Sequence, residues 1–189
     1  NLLVGIDSFS ESELPIEKID AFTVTADELV NLNPDLVIVA FDFNGIIDGL
    51  EALNLNYVLL PPARNFDEVY TQIMEIGNLI NKSEESIDLV SEMENDVAEI
   101  IENFSAQNVK VFHEIGYTYG IYTVNENSFI GEIYNLLGVD NIANFKEDPF
   151  GSGYPEFSEE EILMANPNLI IVGHSDYLNK DLSTRVGWE

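Results

Sequence analysis

Cysteine is absent from this chain of 189 residues, tryptophan occurs once and histidine twice. Without thiols there are no disulfides and no thiolate metal sites, and the redox compartment stays open. Cations are scarce as well: 7 Lys and Arg stand against 35 Asp and Glu, for a formal net charge of −28. Cations scattered from Lys18 to Arg185 build no basic face for phosphates or anionic headgroups, so neither nucleic acid nor a membrane surface is expected as a partner. No stretch approaches the roughly 20 apolar residues of a membrane span, so this segment is not expected to insert directly. There is no Gly-x-Ser-x-Gly elbow, phosphate loop or dinucleotide fingerprint, and an enzyme is not expected. What remains is the material of a core. With 46% hydrophobic and 11% aromatic residues the chain can fold despite its charge, as one large domain or two small lobes.

An internal repeat organises it. Residues 25–42, TADELVNLNPDLVIVAFD, align in register with residues 158–175, SEEEILMANPNLIIVGHS. Each copy opens on a hydroxyl residue with a glutamate three positions on, Thr25 with Glu28 and Ser158 with Glu161, the signature of a capping box at a helix start. Each short helix is stopped at Asn-Pro, Asn33-Pro34 and Asn166-Pro167, because proline disfavours helix for the residue before it. Each then continues as an apolar run, Leu36–Val39 or Leu169–Val172, with the pattern of a strand buried on both faces.

The surrounding pattern alternates. Leu2–Ile6 reads as a strand, followed by the first repeat unit, a helix near Ile46–Leu53, a strand Tyr57–Leu60 and a helix Phe66–Ile80. Val109–His113 reads as a strand and Ser128–Leu137 as a helix before the repeat returns. Strands alternating with helices imply an α/β fold of two lobes, each a parallel sheet flanked by helices. Between the halves, Glu84–Phe104 keeps apolar residues at spacings of three and four and holds no Gly or Pro, which makes a rod on the order of 30 Å long. The expected organisation is a first lobe over 1–83, a connector helix over 84–104 and a second lobe over 105–189. Comparison of the two repeat surroundings leaves each lobe one edge short, as expected of a fragment.

The order of these segments resembles the substrate-binding proteins of ABC importers that carry iron-siderophores, haem and cobalamin, the helical-backbone class of periplasmic binding proteins. The resemblance is carried by Asp27-Glu28-Leu29-Val30-Asn31-Leu32-Asn33-Pro34-Asp35-Leu36-Val37, by Asn56–Pro62 with Phe66–Gly77, and by Asn127–Ala143. It implies an extracytoplasmic protein, periplasmic or a cell-surface lipoprotein, acting as a monomer and handing a small-molecule ligand to a permease. No cofactor is implied; the bound molecule would be a ferric chelate or a corrinoid. One carboxylate per lobe docks onto permease arginines in that family, and by position these are Asp27 and Glu160; acids also favour helix N-termini for reasons unconnected with docking.

In open α/β sheets ligands bind beyond the carboxyl ends of the strands. The expected ligand residues are therefore Phe9, Phe41, Asp42, Phe43 and Arg64 from the first half, and Tyr117, Tyr119, Tyr154 and His174 from the second. Tyr122, Phe150 and Tyr177 lie on the same loops. Aromatic rings suit a large, flat ligand, although half of them are expected to pack the core instead. With Arg64 the one arginine on these loops, a neutral or cationic ligand such as cobalamin or a hydroxamate chelate is favoured over a multiply anionic catecholate. His113 and His174 both follow predicted strands and, with a carboxylate such as Asp42 or Glu114, could hold a transition metal. A metal-ion importer subunit or the ligand-sensing domain of a receptor are the alternatives.

Overall fold

The computed structural model describes residues 2–104, 108–175, 182–185 and 188. Its strands are β1 Gly5–Asp7, β2 Glu17–Ile19, β3 Val37–Val39, β4 Tyr57–Leu59, β5 Lys110–Glu114, β6 Ile121–Tyr122, β7 Asp140–Asn141, β8 Glu156–Phe157 and β9 Leu169–Val172. The helices are α1 Ala26–Val30, α2 Ile46–Ala52, α3 Phe66–Leu79, α4 Ser83–Asn103, α5 Phe129–Leu136 and α6 Glu159–Ala165. The chain divides into two compact units, Asn1–Pro62 and Ala63–Glu189.

The α/β reading with parallel sheets holds in both units. In the first, β1 pairs with β2 and β3 with β4, each in parallel, with Gly5 opposite Glu17 and Val37 opposite Tyr57. The parallel sheet expected there is thus two separate ladders. Ala26 and Leu29 of α1, Val39 of β3 and the fully buried Leu50 of α2 form its core. Strand β2, Glu-Lys-Ile, carries two charges in three residues and gave no strand signal. The first strand lies later than Leu2–Ile6, and Leu2, Leu3 and Val4 are exposed.

In the second unit β5 runs between β7 and β9 in one parallel sheet. Alternation across the pleat sends neighbouring residues of β5 to opposite faces. Val111 packs with Val124, Tyr134 and Val139, while Phe112 packs with Ile121, Ala143, Phe157 and Ile162. The antiparallel pair β6–β8 is an addition to the parallel pattern. Helices α3 and α4 pack against each other where Gly77 meets Ser86; a Cβ on Gly77 would lie 2.2 Å from the serine Oγ. Helix α4, with 21 residues, is the long rod anticipated over 84–104.

Both repeat copies fold as read at their starts. The Thr25 and Glu28 pair closes a complete capping box, with Thr25 N–H donating to Glu28 Oε2 at 2.8 Å and Glu28 N–H to Thr25 Oγ1 at 3.3 Å. Ser158 and Glu161 repeat it at 2.9 and 3.2 Å. The stops also match: Asn33 and Asn166 adopt φ of 49° and 48°. Asparagine tolerates this left-handed turn where most side chains resist it; Asn166 is itself the C-cap of α6, whereas α1 is capped earlier, at Asn31, and Asn33 turns the chain just before its proline. Burial of the following strands on both faces does not hold. Ile38 of β3 is 52% exposed and Leu169 of β9 43%, and among the described residues each strand has a ladder partner on one side only. The strand paired on both sides, β5, is the one that carries fully buried Val111 and Phe112.

Among the described residues Glu114 is the single buried carboxylate; the remaining acids face water or lie near it. Two predictions follow from caps and charge. Replacing Ser158 by Ala leaves the Glu161 and Gly-free first turn without its acceptor and lowers unfolding free energy by about 1 kcal/mol, measured by urea denaturation. Raising KCl from about 0.1 M to about 1 M shortens the screening length from roughly 10 Å to about 3 Å and relieves self-repulsion, so the thermal midpoint rises; a falling midpoint would refute repulsion as the dominant surface term.

Candidate aromatic ligand-binding surfaces

The loops after β1, β2 and β3 bring four phenylalanines together in the first unit. Phe9 meets Phe22 edge-on at 5.9 Å between ring centroids, Phe22 meets Phe43 at 5.1 Å, and Phe43 meets Phe41 at 5.7 Å. All four stay open to water, with Phe9 76% and Phe22 51% exposed. Carboxylates fix the loops that hold them. Asp7 accepts from the Phe9 N–H at 2.9 Å, the Ser10 N–H at 3.1 Å and the Ser10 hydroxyl; the hydroxyl above all, then the Phe9 N–H, holds its pKa below the ordinary carboxylate range. Asp20 accepts from the Phe22 N–H at 3.0 Å, Asn44 Nδ2 donates to the Phe22 carbonyl at 3.0 Å, and Asp42 accepts from the Ile47 N–H at 3.1 Å. These are side-chain turns in which Asp substitutes for a backbone partner. Lys18, the single Lys or Arg of this unit, donates its ammonium to the Ser10 carbonyl. A groove of about 470 Å³ runs beside the row, lined by Thr23, Val24, Phe43, Ile46 and Leu53 and reaching Asp27.

Thus Phe9, Phe41 and Phe43 are brought together as expected of neighbouring strand ends, with Asp42 between Phe41 and Phe43 in the chain. Phe22, the ring that joins them, was missed because β2 was not visible; the Asp-x-Phe turn at Asp20 was its one local sign.

In the second unit Tyr119, Phe150 and Tyr154 are 94%, 93% and 46% exposed. The loop bearing the last two is fixed by Asp148, which accepts from the Gly153 N–H at 2.7 Å; that contact leads the causes lowering its pKa. Gly153 takes φ of 85°, and a Cβ there would lie 2.9 Å from the Ser128 nitrogen. Of the eight rings named on strand-end loops whose structure is described, Tyr117 alone enters the core, so fewer pack inward than expected. The reason is that their loops are held by Asx turns and a hairpin rather than by burial of the rings. Tyr177 lies outside the described residues.

Tyr117 and His174 belong to a different arrangement. Both are grouped with Glu114, which accepts from Arg185 Nη1 and Nη2 at 2.5 and 2.7 Å and stands 2.7 Å from His174 Nε2. The Arg185 guanidinium lies 4.0 Å from the Tyr117 ring centroid and 4.5 Å from that of Trp188. His113 is apart from His174 in its bonding: its Nδ1 is 2.7 Å from the Tyr134 hydroxyl. Burial holds the His113 pKa below its ordinary value and raises that of Tyr134. Among the described residues no group of three or more His, Asp or Glu could hold a metal ion. Arg64 falls in the second unit, and its guanidinium is held 3.1 Å from Glu68. Asp27 and Glu160 take the same place, second residue of α1 and of α6, and both are exposed.

Among curated proteins, the chain is 25% identical over 98% of its length to an uncharacterised ABC transporter substrate-binding lipoprotein of Bacillus subtilis, YvrC, and covers 61% of it. It is 27% identical over 79% of its length to a cobalamin-binding protein of Halobacterium salinarum, of which it covers 40%. It therefore spans less than two thirds of either relative. Among solved structures, the periplasmic haem-binding protein HutB of Vibrio cholerae superposes with a TM-score of 0.79 at 16% identity, covering 90% of this chain and 67% of that one. An ABC transporter substrate-binding protein of Listeria monocytogenes does so at 0.72 and 21%, covering 90% and 67%. Among the described residues no helix is long and apolar enough to cross a membrane. The model of the periplasmic binding protein family matches residues 15–189, and the chain belongs to that family.

Proposed function

We propose that this chain is the ligand-capturing part of an extracytoplasmic ABC importer subunit, and that its ligand is a large, flat, neutral or cationic molecule: a corrinoid or a ferric hydroxamate chelate. The observation that carries the reading is the exposed row Phe9, Phe22, Phe43 and Phe41, four rings in mutual contact yet facing water. A contiguous apolar surface of this kind marks a binding site, and rigid rings give contact area with few torsions to order. Asp7, Asp20 and Asp42 sit on the loops that carry the row, and the described cations are already engaged: Lys18 by Ser10, Arg64 by Glu68, Lys82 by Glu85, Lys110 by the Ala165 carbonyl, Lys146 by Glu161 and Arg185 by Glu114. A trianionic catecholate would meet the carboxylates of Asp7, Asp20 and Asp42 on these loops, against Lys18 as the first unit's single Lys or Arg.

Asp27 and Glu160 serve as the two carboxylates that meet basic groups of the permease. Their equivalent places in the two capping-box helices support this role. Charge reversal at both, Asp27→Lys with Glu160→Lys, abolishes transport in a reconstituted importer while ligand affinity stays unchanged; unaltered transport would remove the assignment.

Equilibrium dialysis against cyanocobalamin, ferrioxamine B and ferric enterobactin tests the ligand class. Saturable binding is expected for one of the first two and not for the third. Phe22→Ala weakens that binding about tenfold, or roughly 1.4 kcal/mol. Tight binding of ferric enterobactin, or an affinity indifferent to Phe22→Ala, would overturn the reading.

A further inference from the structure

Among the described residues, the one buried carboxylate takes no part in the surfaces above. Glu114 ends β5, has no exposed surface, and receives three N–H donors on two carboxylate oxygens: both terminal nitrogens of Arg185 and Nε2 of His174. Because an ionised carboxylate only accepts, His174 carries its proton on Nε2. Arg185 is itself buried and lies against Tyr117 and Trp188, which are also the two rings packed together against the Phe112, Ile121 and Phe157 core.

We propose that Glu114 is a positioning residue: its carboxylate clamps Arg185 and thereby docks Trp188 and Tyr117, fixing the hairpin that presents Tyr119. A buried ion pair contributes little to stability beyond what apolar side chains of equal volume would give. What a bidentate guanidinium–carboxylate fork adds is one geometry, since both N–H bonds form in a single plane and orientation. That plane is also the one that rests on two aromatic rings, where a cation is attracted to the ring face. Tyr117 then transmits the constraint. It lies in the β5–β6 hairpin, closed by Ile115 N–H to the Tyr122 carbonyl at 2.9 Å, Tyr122 N–H to Gly116 at 3.0 Å and Gly120 N–H to Tyr117 at 3.3 Å. Tyr119 stands at the tip of that hairpin, almost wholly exposed. The clamp joins three places in the chain, the end of β5, His174 after β9, and Arg185 with Trp188. Only the last step, from Tyr119 to a ligand, rests on the function proposed above.

The chain's one tryptophan reads the clamp without any ligand. Acrylamide quenching of Trp188 emission is compared in the parent, Glu114→Gln, Arg185→Lys and the double variant Glu114→Met with Arg185→Met. The double variant leaves no charge unpaired in the interior, so it keeps the experiment decisive where a single variant fails to fold. The expected result is a quenching constant raised about threefold in each folded variant as the segment opens locally, with far-UV circular dichroism retained. Arg185→Lys is included because it keeps the charge and loses the fork. Quenching at the parent level in the double variant would overturn the proposal, since packing alone would then hold Trp188. Cyanocobalamin dialysis of the same proteins separates the two readings: a parent that takes up none counts against the ligand class, and unmoved quenching counts against the clamp.

Discussion

The structure depends on the double pairing of β5. The strand lies between β7 and β9, paired with β7 at Lys110 and Val111 and with β9 from Val111 to Glu114, and side chains pack on both of its faces. Val111 and Phe112 use the two faces to seed two separate clusters, and the helices and the β6–β8 ribbon assemble around these. The constraint extends to the strand's end. Glu114 follows the same pleat into the interior, where a carboxylate is tolerated only with partners arranged around it. In the first unit no described strand is paired on both edges, and its core is correspondingly simpler: one cluster around Leu50.

The features legible in the sequence are those decided by neighbours a few residues apart. The capping boxes at Thr25 and Ser158 need a hydroxyl and a glutamate at fixed spacing, and the stops at Asn33 and Asn166 need a residue that accepts the left-handed turn next to one that cannot extend a helix. Hydrophobic runs likewise announced β3, β4, β5 and β9 to within a residue or two. Strand β2 was hidden because a three-residue parallel edge with Glu17 and Lys18 owes its conformation to β1, not to its own composition. The same holds for Phe22, which joins the phenylalanine row only because β2 brings it there. Arg185 gave no sign of its role either: its partner Glu114 is distant in sequence, and a lone arginine near the end of an acidic chain reads as surface. Burial of β3 and β9 was overestimated for the converse reason. An apolar run shows that a strand can be covered, whereas coverage depends on which elements reach it.

Charge acquires a sharper meaning once the cations are located. An excess of acids excludes anionic partners only if the few cations are not gathered in one place. Here the described ones are dispersed, each already engaged by a carboxylate or a backbone carbonyl of its own chain. Dispersed cations do not converge on one multiply charged ligand, and the carboxylates on the loops of the phenylalanine row add to the repulsion of anions.

The two units solve one problem in two ways. Each must hold aromatic side chains at the carboxyl ends of parallel strands, where the backbone leaves the sheet and loses its ladder. The first unit does so with local devices, Asp7, Asp20 and Asp42 each accepting from a backbone N–H within five residues. Such turns are exposed and cost little to form, but each fixes only its own loop. The second uses local turns at Asp148 and adds a long-range device, in which one buried carboxylate fixes an arginine that in turn orders two rings. Burying that carboxylate costs several kcal/mol unless every oxygen is satisfied, and the cost is offset only when all partners are present together. Local turns therefore leave the first row able to adjust loop by loop, whereas the Glu114 cluster either closes as a whole or not at all. That difference follows from the range of the interactions alone: short contacts act independently, and a shared buried charge couples everything that touches it.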